Sequence, residues 1–399
     1  MKKYKYKKPR WFGYNFLFKV GCKFYSKYKI NLKVTRNEVK RNKGPYVVIA
    51  NHESIADFFT VVATLPRLHL VIGSSFYHTS PIKGCMDRVR VIPKQQFQTL
   101  PTDLKRMKEV LDHNMPLLLY PAGLMTEHGA STPIPLSTAK FLKWLKSDVY
   151  VANIKGTFLS KPKWTKQRRK GQCLLDIYKL YSKEELQNIS NHDLHNKINE
   201  VLSFDAYDNQ EELLIKYDGV ENMEGFENVL YKCPKCGEEF TIIAQNNKLI
   251  CTHCQNTMVG DCYGFLGKEK EDDIVYRHPS KWALNIKEEL KNEIQNNDLF
   301  FMEDNCQIQL LNLKARKYET AGYGRVRLDK ETITLEGMLN DEEFKLEVPS
   351  TCYTSLPVGL GKCFEIQAKD RTYRLLLENG KQAIKWVWAV EALFKLNNL

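Results

Sequence analysis

Tyr46-Val47-Val48-Ile49-Ala50-Asn51-His52-Glu53-Ser54-Ile55-Ala56-Asp57 passes from a strand signal to a helix signal with no loop between them. The first five residues form an unbroken apolar run rich in β-branched side chains, the pattern of a strand buried on both faces. Ser54, with Asp57 three residues later, has capping-box spacing and predicts a helix with Ser54 as N-cap and Asp57 in its first turn. His52 then stands at a strand end, where the turn can bring the Asp57 carboxylate back to its ring. Such a pair has a chemical use: the carboxylate holds one imidazole tautomer while the other nitrogen takes a proton from an acceptor hydroxyl. The same residues also suit a helix cap beside a structurally satisfied histidine. A bare His-x4-Asp spacing does not separate the two.

Downstream, apolar runs at 69–72, 89–92, 117–120 and 149–154 read as further strands, alternating with helical patterns at 55–65, 102–113 and 136–146. The alternation predicts an α/β domain whose mostly parallel sheet is flanked by helices, with functional residues at the C-terminal ends of its strands. A basic run, Lys161-Pro162-Lys163-Trp164 through Lys166, Arg168, Arg169 and Lys170, reads as a loop near the same charged face. Residues 183–228 look helical and polar, and acidic residues become more frequent there, which places a boundary near 225.

Four landmarks in order bring in a family. Asn51-His52-x-Ser54-x-x-Asp57 resembles the first motif of the 1-acylglycerol-3-phosphate acyltransferases. Val91-Ile92-Pro93-Lys94 stands where that family has a hydrophobic run ending in arginine, and Tyr120-Pro121-Ala122-Gly123 where it has Phe-Pro-Glu-Gly. Val151-Ala152-Asn153-Ile154 resembles its Val-Pro-Val strand, so that the likeness spans about residues 40–180. The resemblance implies helices around a mixed sheet, His52 as general base with Asp57 as its partner, and acyl-CoA or acyl-carrier-protein as donor. It further implies a lysophospholipid acceptor whose phosphate meets cations and backbone N–H groups. Asn51, Ser54, Arg90, Lys94 and Gly123 are the candidate substrate-binding residues, with solvated surface charge an equal alternative for Arg90.

The departures bear on the acceptor. Ala122 replaces the family's glutamate, Leu124-Met125-Thr126 lacks the arginine expected after Gly123, and Ala152 replaces a proline. Lys94 offers a point charge in place of an arginine fork. Three readings stay open: transfer to 1-acylglycerol-3-phosphate to give phosphatidate, transfer to another lysolipid such as a lyso-amino lipid, or a catalytically weak adaptor that binds lipid or nucleic acid.

Charge is unevenly spread. Residues 1–200 have a net charge of +22 and residues 201–399 one of −9, within an overall +13. Such an excess reports an anionic partner. The first thirty residues hold ten Lys/Arg and ten aromatics, with no acid before Glu38. Lys2, Lys3, Lys5, Lys7, Lys8 and Arg10 precede Trp11-Phe12-Gly13-Tyr14-Asn15-Phe16-Leu17-Phe18, and Phe24 and Tyr25 follow. Rings beside lysines suit a headgroup boundary, so residues 1–34 read as a basic aromatic segment for an anionic membrane surface. A solvated tail leading into a core helix is the alternative. No run of eighteen apolar residues is present, and Lys19, Gly21 and Lys23 interrupt any secretory-signal core. The expectation is a peripheral protein on the cytoplasmic face of the cell membrane.

Eleven cysteines, an odd number, argue against a closed disulfide framework. Cys233-Pro234-Lys235-Cys236 and Cys251-Thr252-His253-Cys254 are two Cys-x-x-Cys knuckles separated by fourteen residues, the spacing of a zinc ribbon. Mononuclear iron is the chemical runner-up, and Cys262 reads as a spare core thiol. Lys232, Lys235 and Lys248 are offset by Glu238, Glu239 and Asp261, so the ribbon lacks the basic excess of a phosphate-backbone binder. It reads as a structural Zn2+ module or protein-docking element, and nucleic acid is disfavoured. Strand-like runs then recur at 307–311, 324–328, 332–335, 344–348, 363–368 and 372–377, before a helix pattern at 383–396 with Trp386 and Trp388. They predict a small capped barrel or sandwich, similar in element order to pleckstrin-homology or GRAM-like domains. The chain divides on this basis into the membrane-surface segment 1–34, an acyltransferase-type domain 35–225, the ribbon 226–268, a helical linker 269–304 and the β domain 305–399.

Overall fold

A computed structural model of the 399-residue chain describes residues 6–39, 42, 44–96, 100–368 and 371–398. Of the basic tip, Lys2, Lys3 and Lys5 lie outside the described residues. Two compact units are present, Met1–Val220 with Cys262–Gly264, and Glu221–Asp261 with Phe265–Leu399.

The first unit is built on strands β1 (Leu32–Asn37), β2 (Tyr46–Ala50), β3 (His69–Gly73), β4 (Ile92–Lys94), β5 (Leu117–Leu119), β6 (Asp148–Lys155) and β7 (Cys173–Tyr181). They form one sheet in the order β1-β7-β6-β2-β5-β3-β4. Every pairing is parallel except β6 with β7. Helices α1 (Lys19–Tyr28), α2 (Ala56–Thr64), α3 (Ser74–Thr79), α4 (Lys83–Arg88), α5 (Pro101–Asp112), α6 (Ser137–Leu145), α7 (Thr157–Ser160), α8 (Lys183–Asn188), α9 (Asn191–Leu202) and α10 (Ala206–Leu213) accompany it. On central β2, Val48 and Ala50 pack with Tyr14, Phe18, Val61 and Val62, while Val47 and Ile49 pack with Met107, Val110, Leu111 and Leu142. Burial on both faces is why this strand shows no polar alternation.

Three local expectations need correction. Residues 89–92 are not a strand: α4 runs to Arg88, Arg90 takes a left-handed backbone at φ 59°, and the extended path begins only at Ile92. A left-handed residue ends strand geometry, and a run this short does not reveal it. Ser54 is not the N-cap, because α2 begins at Ala56 after Ile55. Ser54 Oγ instead accepts the Ala56 N–H at 3.0 Å, while Asp57 Oδ2 accepts the Ser54 N–H at 2.9 Å. Only the returning half of the capping box forms, because the Asp57 N–H donates to the Ser54 carbonyl at 3.2 Å instead of to its hydroxyl. In the 183–228 stretch the three helices end at Leu213, and only a short turn, Phe226–Asn228, follows.

The second unit holds a four-stranded ribbon, β8 (Ile242–Gln245), β9 (Lys248–Cys251), β10 (Thr257–Gly260) and β11 (Leu266–Lys268), in the order β11-β10-β9-β8. Helix α11 (Pro279–Asn296) follows, with Trp282, Ile286, Leu290 and Ile294 buried; it belongs to the core of this unit and is not a linker. Strands β12 (Phe301–Asn312), β13 (Lys317–Asp329), β14 (Thr332–Leu339), β15 (Glu342–Pro349), β16 (Val358–Gly359), β17 (Cys363–Ala368) and β18 (Arg371–Leu377) come next. They make an antiparallel sheet in the order β15-β14-β13-β12-β18-β17-β16, the small β domain that the strand pattern predicts. Strand alternation establishes one buried face but not how the sheet is covered; here α12 (Ala383–Asn398) supplies that cover with Trp386 and Trp388 buried. Among the described residues no helix is long and apolar enough to cross a membrane.

Candidate active site and metal centre

His52 follows β2 by one residue beyond Asn51, and its ring meets Asp57 across the turn into α2. Nδ1 lies 2.9 Å from Asp57 Oδ2, with the carboxylate fully buried and the imidazole 18% exposed. A carboxylate only accepts, so Nδ1 carries the proton and Nε2 is left as the basic nitrogen. Asp57 also accepts the Ser54 N–H at 2.9 Å, and its Oδ1 accepts from the Thr157 hydroxyl at the start of α7. The Tyr120 ring stacks on the imidazole with centroids 4.3 Å apart. Burial, with the nearby Asp57 charge, holds the Tyr120 phenol far above its ordinary range, so it is neutral. These contacts fix the ring plane, tautomer and charge partner of His52. The arrangement suits proton removal from a hydroxyl at Nε2.

A second carboxylate, absent from the sequence-based site, stands beside the first. Glu53 is buried, and its Oε2 lies 3.0 Å from Thr157 Oγ1 and accepts the Phe158 N–H at 3.0 Å. Burial and then the Asp57 charge push Glu53 up to about 8. Thr157 and Phe158 arrive from α7, about a hundred residues along the chain from His52. Gly156, left-handed at φ +90°, makes that corner, and a Cβ there would lie 2.2 Å from Tyr217 Oη.

The candidate substrate residues divide. Asn51 is engaged structurally: Nδ2 donates to the Ile154 carbonyl and Oδ1 accepts the Ile154 N–H, each at 2.8 Å. Asn51→Ala orphans two buried backbone groups and is expected to cost about 2–3 kcal/mol, read as a lowered Tm. Ser54 is buried, with its hydroxyl on Ala56. Lys94 Nζ donates to the Gln95 carbonyl at 2.9 Å, and burial lowers its basicity. The Arg90 carbonyl accepts from His69 Nδ1 at 3.0 Å, and its Nε is buried without a hydrogen-bond partner. Gly123 has φ +75° with open space where a Cβ would stand. Gln96, which the sequence did not single out, donates to the Gly123 carbonyl at 2.8 Å and so ties the exit of β4 to that turn. The turn in its place is also tethered to the base, since the Thr126 N–H donates to the His52 carbonyl at 3.2 Å.

The basic run 161–170 is less solvated than its composition predicts. Lys163 Nζ bonds the buried Glu127 at 2.9 Å, Arg169 is buried against the Trp164 ring, and Arg168 lies over Tyr25. Paired or ring-stacked cations tolerate burial that isolated ones do not.

In the second unit, Cys233, Cys236, Cys251 and Cys254 place their Sγ atoms within 4.8 Å of one another. Cys233–Cys254 and Cys236–Cys251 are 3.7 and 3.8 Å apart. Four sulfurs on a tetrahedron with metal–sulfur bonds of about 2.3 Å stand about 3.8 Å apart, so the donor set fits one zinc-sized ion. The Lys235 N–H points at Cys233 Sγ at 3.4 Å and Thr241 Oγ1 lies 3.3 Å from Cys251 Sγ, contacts that stabilise thiolates. Cys262 stands outside the cluster and is exposed, which corrects the expectation of a core thiol.

Residues 31–153, under half of the chain, match the acyltransferase family. No curated protein matches the chain. Among solved structures, the 1-acyl-sn-glycerophosphate acyltransferase PlsC from Thermotoga maritima is similar at 15% identity and TM-score 0.41, over 49% of this chain and 79% of that one. The Ran-binding domain of Nup2 from Ashbya gossypii is similar at 12% identity and TM-score 0.20, over 24% of this chain and 99% of that one.

Proposed function

We propose that the first unit transfers a fatty acyl group from acyl-CoA or acyl-carrier-protein to the hydroxyl of a lysophospholipid, 1-acylglycerol-3-phosphate being the first acceptor to test. The observation that supports it is the His52 Nδ1–Asp57 Oδ2 contact of 2.9 Å at the C-terminal end of β2, within the stretch that matches the acyltransferase family. In this reading His52 Nε2 takes the acceptor's hydroxyl proton, with Asp57 balancing the imidazolium, and the alkoxide adds to the thioester carbonyl; the adduct then breaks its C–S bond, and the leaving thiolate takes the proton back from His52 as the free thiol. Lys94, Arg90 and the open backbone at Gly123 are the groups for an acceptor phosphate. The test is a panel of lysolipids with and without phosphate, each supplied with acyl-CoA or acyl-carrier-protein and followed by thioester consumption. Turnover with none of them, together with tight vesicle binding, points to the adaptor.

The N-terminal segment supports an anionic membrane surface as partner. Tyr14, Phe18 and Cys22 face the core, yet Phe12, Phe16, Val20, Phe24 and Tyr28, at every fourth position, are between 52% and 63% exposed. Exposed Lys23 and Lys27 lie beside them. A helix apolar on both faces has a second apolar environment to meet, and lysines beside aromatic rings fit the headgroup layer. Phe16→Asp with Phe24→Asp is expected to weaken binding to anionic vesicles about a hundredfold in a sedimentation assay. Raised salt should weaken wild-type binding as well. Unchanged binding by the double variant removes this segment from the membrane reading. A structural Zn2+ ion at the four cysteines completes the proposal.

A further inference from the structure

We infer that Glu53 is held as a neutral carboxylic acid that acts through the Thr157 hydroxyl to keep Asp57 charged toward His52, making the centre a chain of four groups. Glu53 and Thr157 are then positioning residues, and only the role given to His52 at the end of the chain rests on the acyl-transfer reading.

Counting protons decides the arrangement. Thr157 Oγ1 is 3.0 Å from Glu53 Oε2 and is also hydrogen-bonded to Asp57 Oδ1. A hydroxyl has one proton, so it donates to one of these oxygens, and the other contact needs a proton from the carboxyl group itself. Asp57 accepts in addition from the Ser54 N–H and from His52 Nδ1, both at 2.9 Å. Glu53 takes its donors, the Phe158 N–H at 3.0 Å and the Thr157 N–H, from the α7 backbone alone, while its Oε1 is buried without a hydrogen-bond partner. Negative charge settles where the donors converge, which is Asp57, and the proton stays on Glu53. The titratable groups that bear on Glu53 from the surrounding elements are Asp57 on α2, the buried Cys173 thiol on β7 and the Tyr217 phenol. All of these are acids, and two carboxylates this close resist ionising together. Burial and Asp57 carry Glu53 from its ordinary 4.5 to about 8.

The polarity follows from the proton. Glu53 donates to Thr157, Thr157 donates to Asp57 Oδ1, and Oδ2 is left for the imidazole. Once Glu53 ionises it competes for the Thr157 proton and adds a second negative charge near His52.

Glu53→Gln, an isosteric neutral change, tests this in the full chain without any substrate. At neutral pH the wild-type minus variant infrared spectrum should contain the carbonyl stretch of a protonated carboxylic acid; its absence would mean an ionised Glu53 and overturns the inference. With ring-labelled histidine, the His52 resonance, identified by its loss in His52→Ala, should show a displacement near pH 8 in wild type that is missing from Glu53→Gln. A displacement that persists in the variant belongs to another group and overturns the coupling. Stability gives a third reading. Glu53 is ionised above about 4.5 when unfolded and neutral to about 8 when folded, so folding takes up a proton in that interval. Wild-type stability relative to Glu53→Gln should therefore fall as pH rises between those values and level off beyond them. A flat difference sinks the inference, whereas a chain inactive in acyl transfer leaves it standing.

Discussion

His52→Ala is expected to lower thioester consumption with the preferred lysolipid by about a thousandfold or more, while the fold and metal content stay as in wild type. The size of the loss follows from the role. Without Nε2 nothing at this position takes the acceptor proton, and positioned base catalysis is worth about a hundredfold to ten-thousandfold. Small structural consequences follow from the contacts. The imidazole is partly exposed, and removing it leaves Asp57 with the Ser54 N–H and the Thr157 hydroxyl, so no buried charge is orphaned. Asp57→Asn should differ in kind. An amide nitrogen cannot accept from those donors, so this variant loses stability as well as turnover. The comparison separates a base from its support: equal losses of activity with unequal losses of stability fit the proposal. Wild-type turnover in His52→Ala rejects it.

What the sequence made legible was what lies close along the chain. Strand β2, His52 and Asp57 occupy one short stretch, so that strand-end placement and a tight turn are enough to predict the contact between the two side chains. Thr157 and Tyr120 could not be read that way, because they reach the same carboxylate and ring from just beyond the ends of β6 and β5. Only the strand order decides which distant loops share an edge. Glu53 stood in view inside the motif, yet a glutamate in a polar turn reads as solvated. Its burial depends on α7, whose amide and hydroxyl meet it. Strand β7 is a different case. Cys173, Leu175 and Ile177 are buried and alternate with less buried neighbours, a period-two pattern present in the sequence but masked by the basic run before it. That same run concealed Arg169, since nothing in its composition distinguishes a cation stacked under Trp164 from one in water. The knuckles were legible for the opposite reason. Metal-ligand spacing is set by local turns, so four cysteines in sequence already specify one cluster.

The cluster makes the second large prediction. The purified chain should hold one zinc per molecule, and Cys251→Ser or prolonged chelation should remove it and unfold the ribbon. Strands β8 to β11 are three or four residues long, and a sheet of such strands has little apolar surface with which to offset its ordering entropy. Ile242, Leu249, Met258 and Leu266 are its buried apolar side chains, a small core beside the metal-binding free energy of about 10–16 kcal/mol typical of zinc-finger sites. Cys251 is the ligand to change because it is buried, ends β9 and faces the Thr241 hydroxyl, so its loss removes a thiolate where water cannot replace it. Exposed Cys236 should be the milder site, since a water molecule can take its place in the coordination shell. Elemental analysis reads the metal directly, and the rate of proteolytic cleavage between β8 and β9 reads the fold. Iron would announce itself by visible absorption that colourless zinc lacks. A ribbon that stays protease-resistant with all metal removed would show that its core suffices alone, and would end the structural role proposed for the ion.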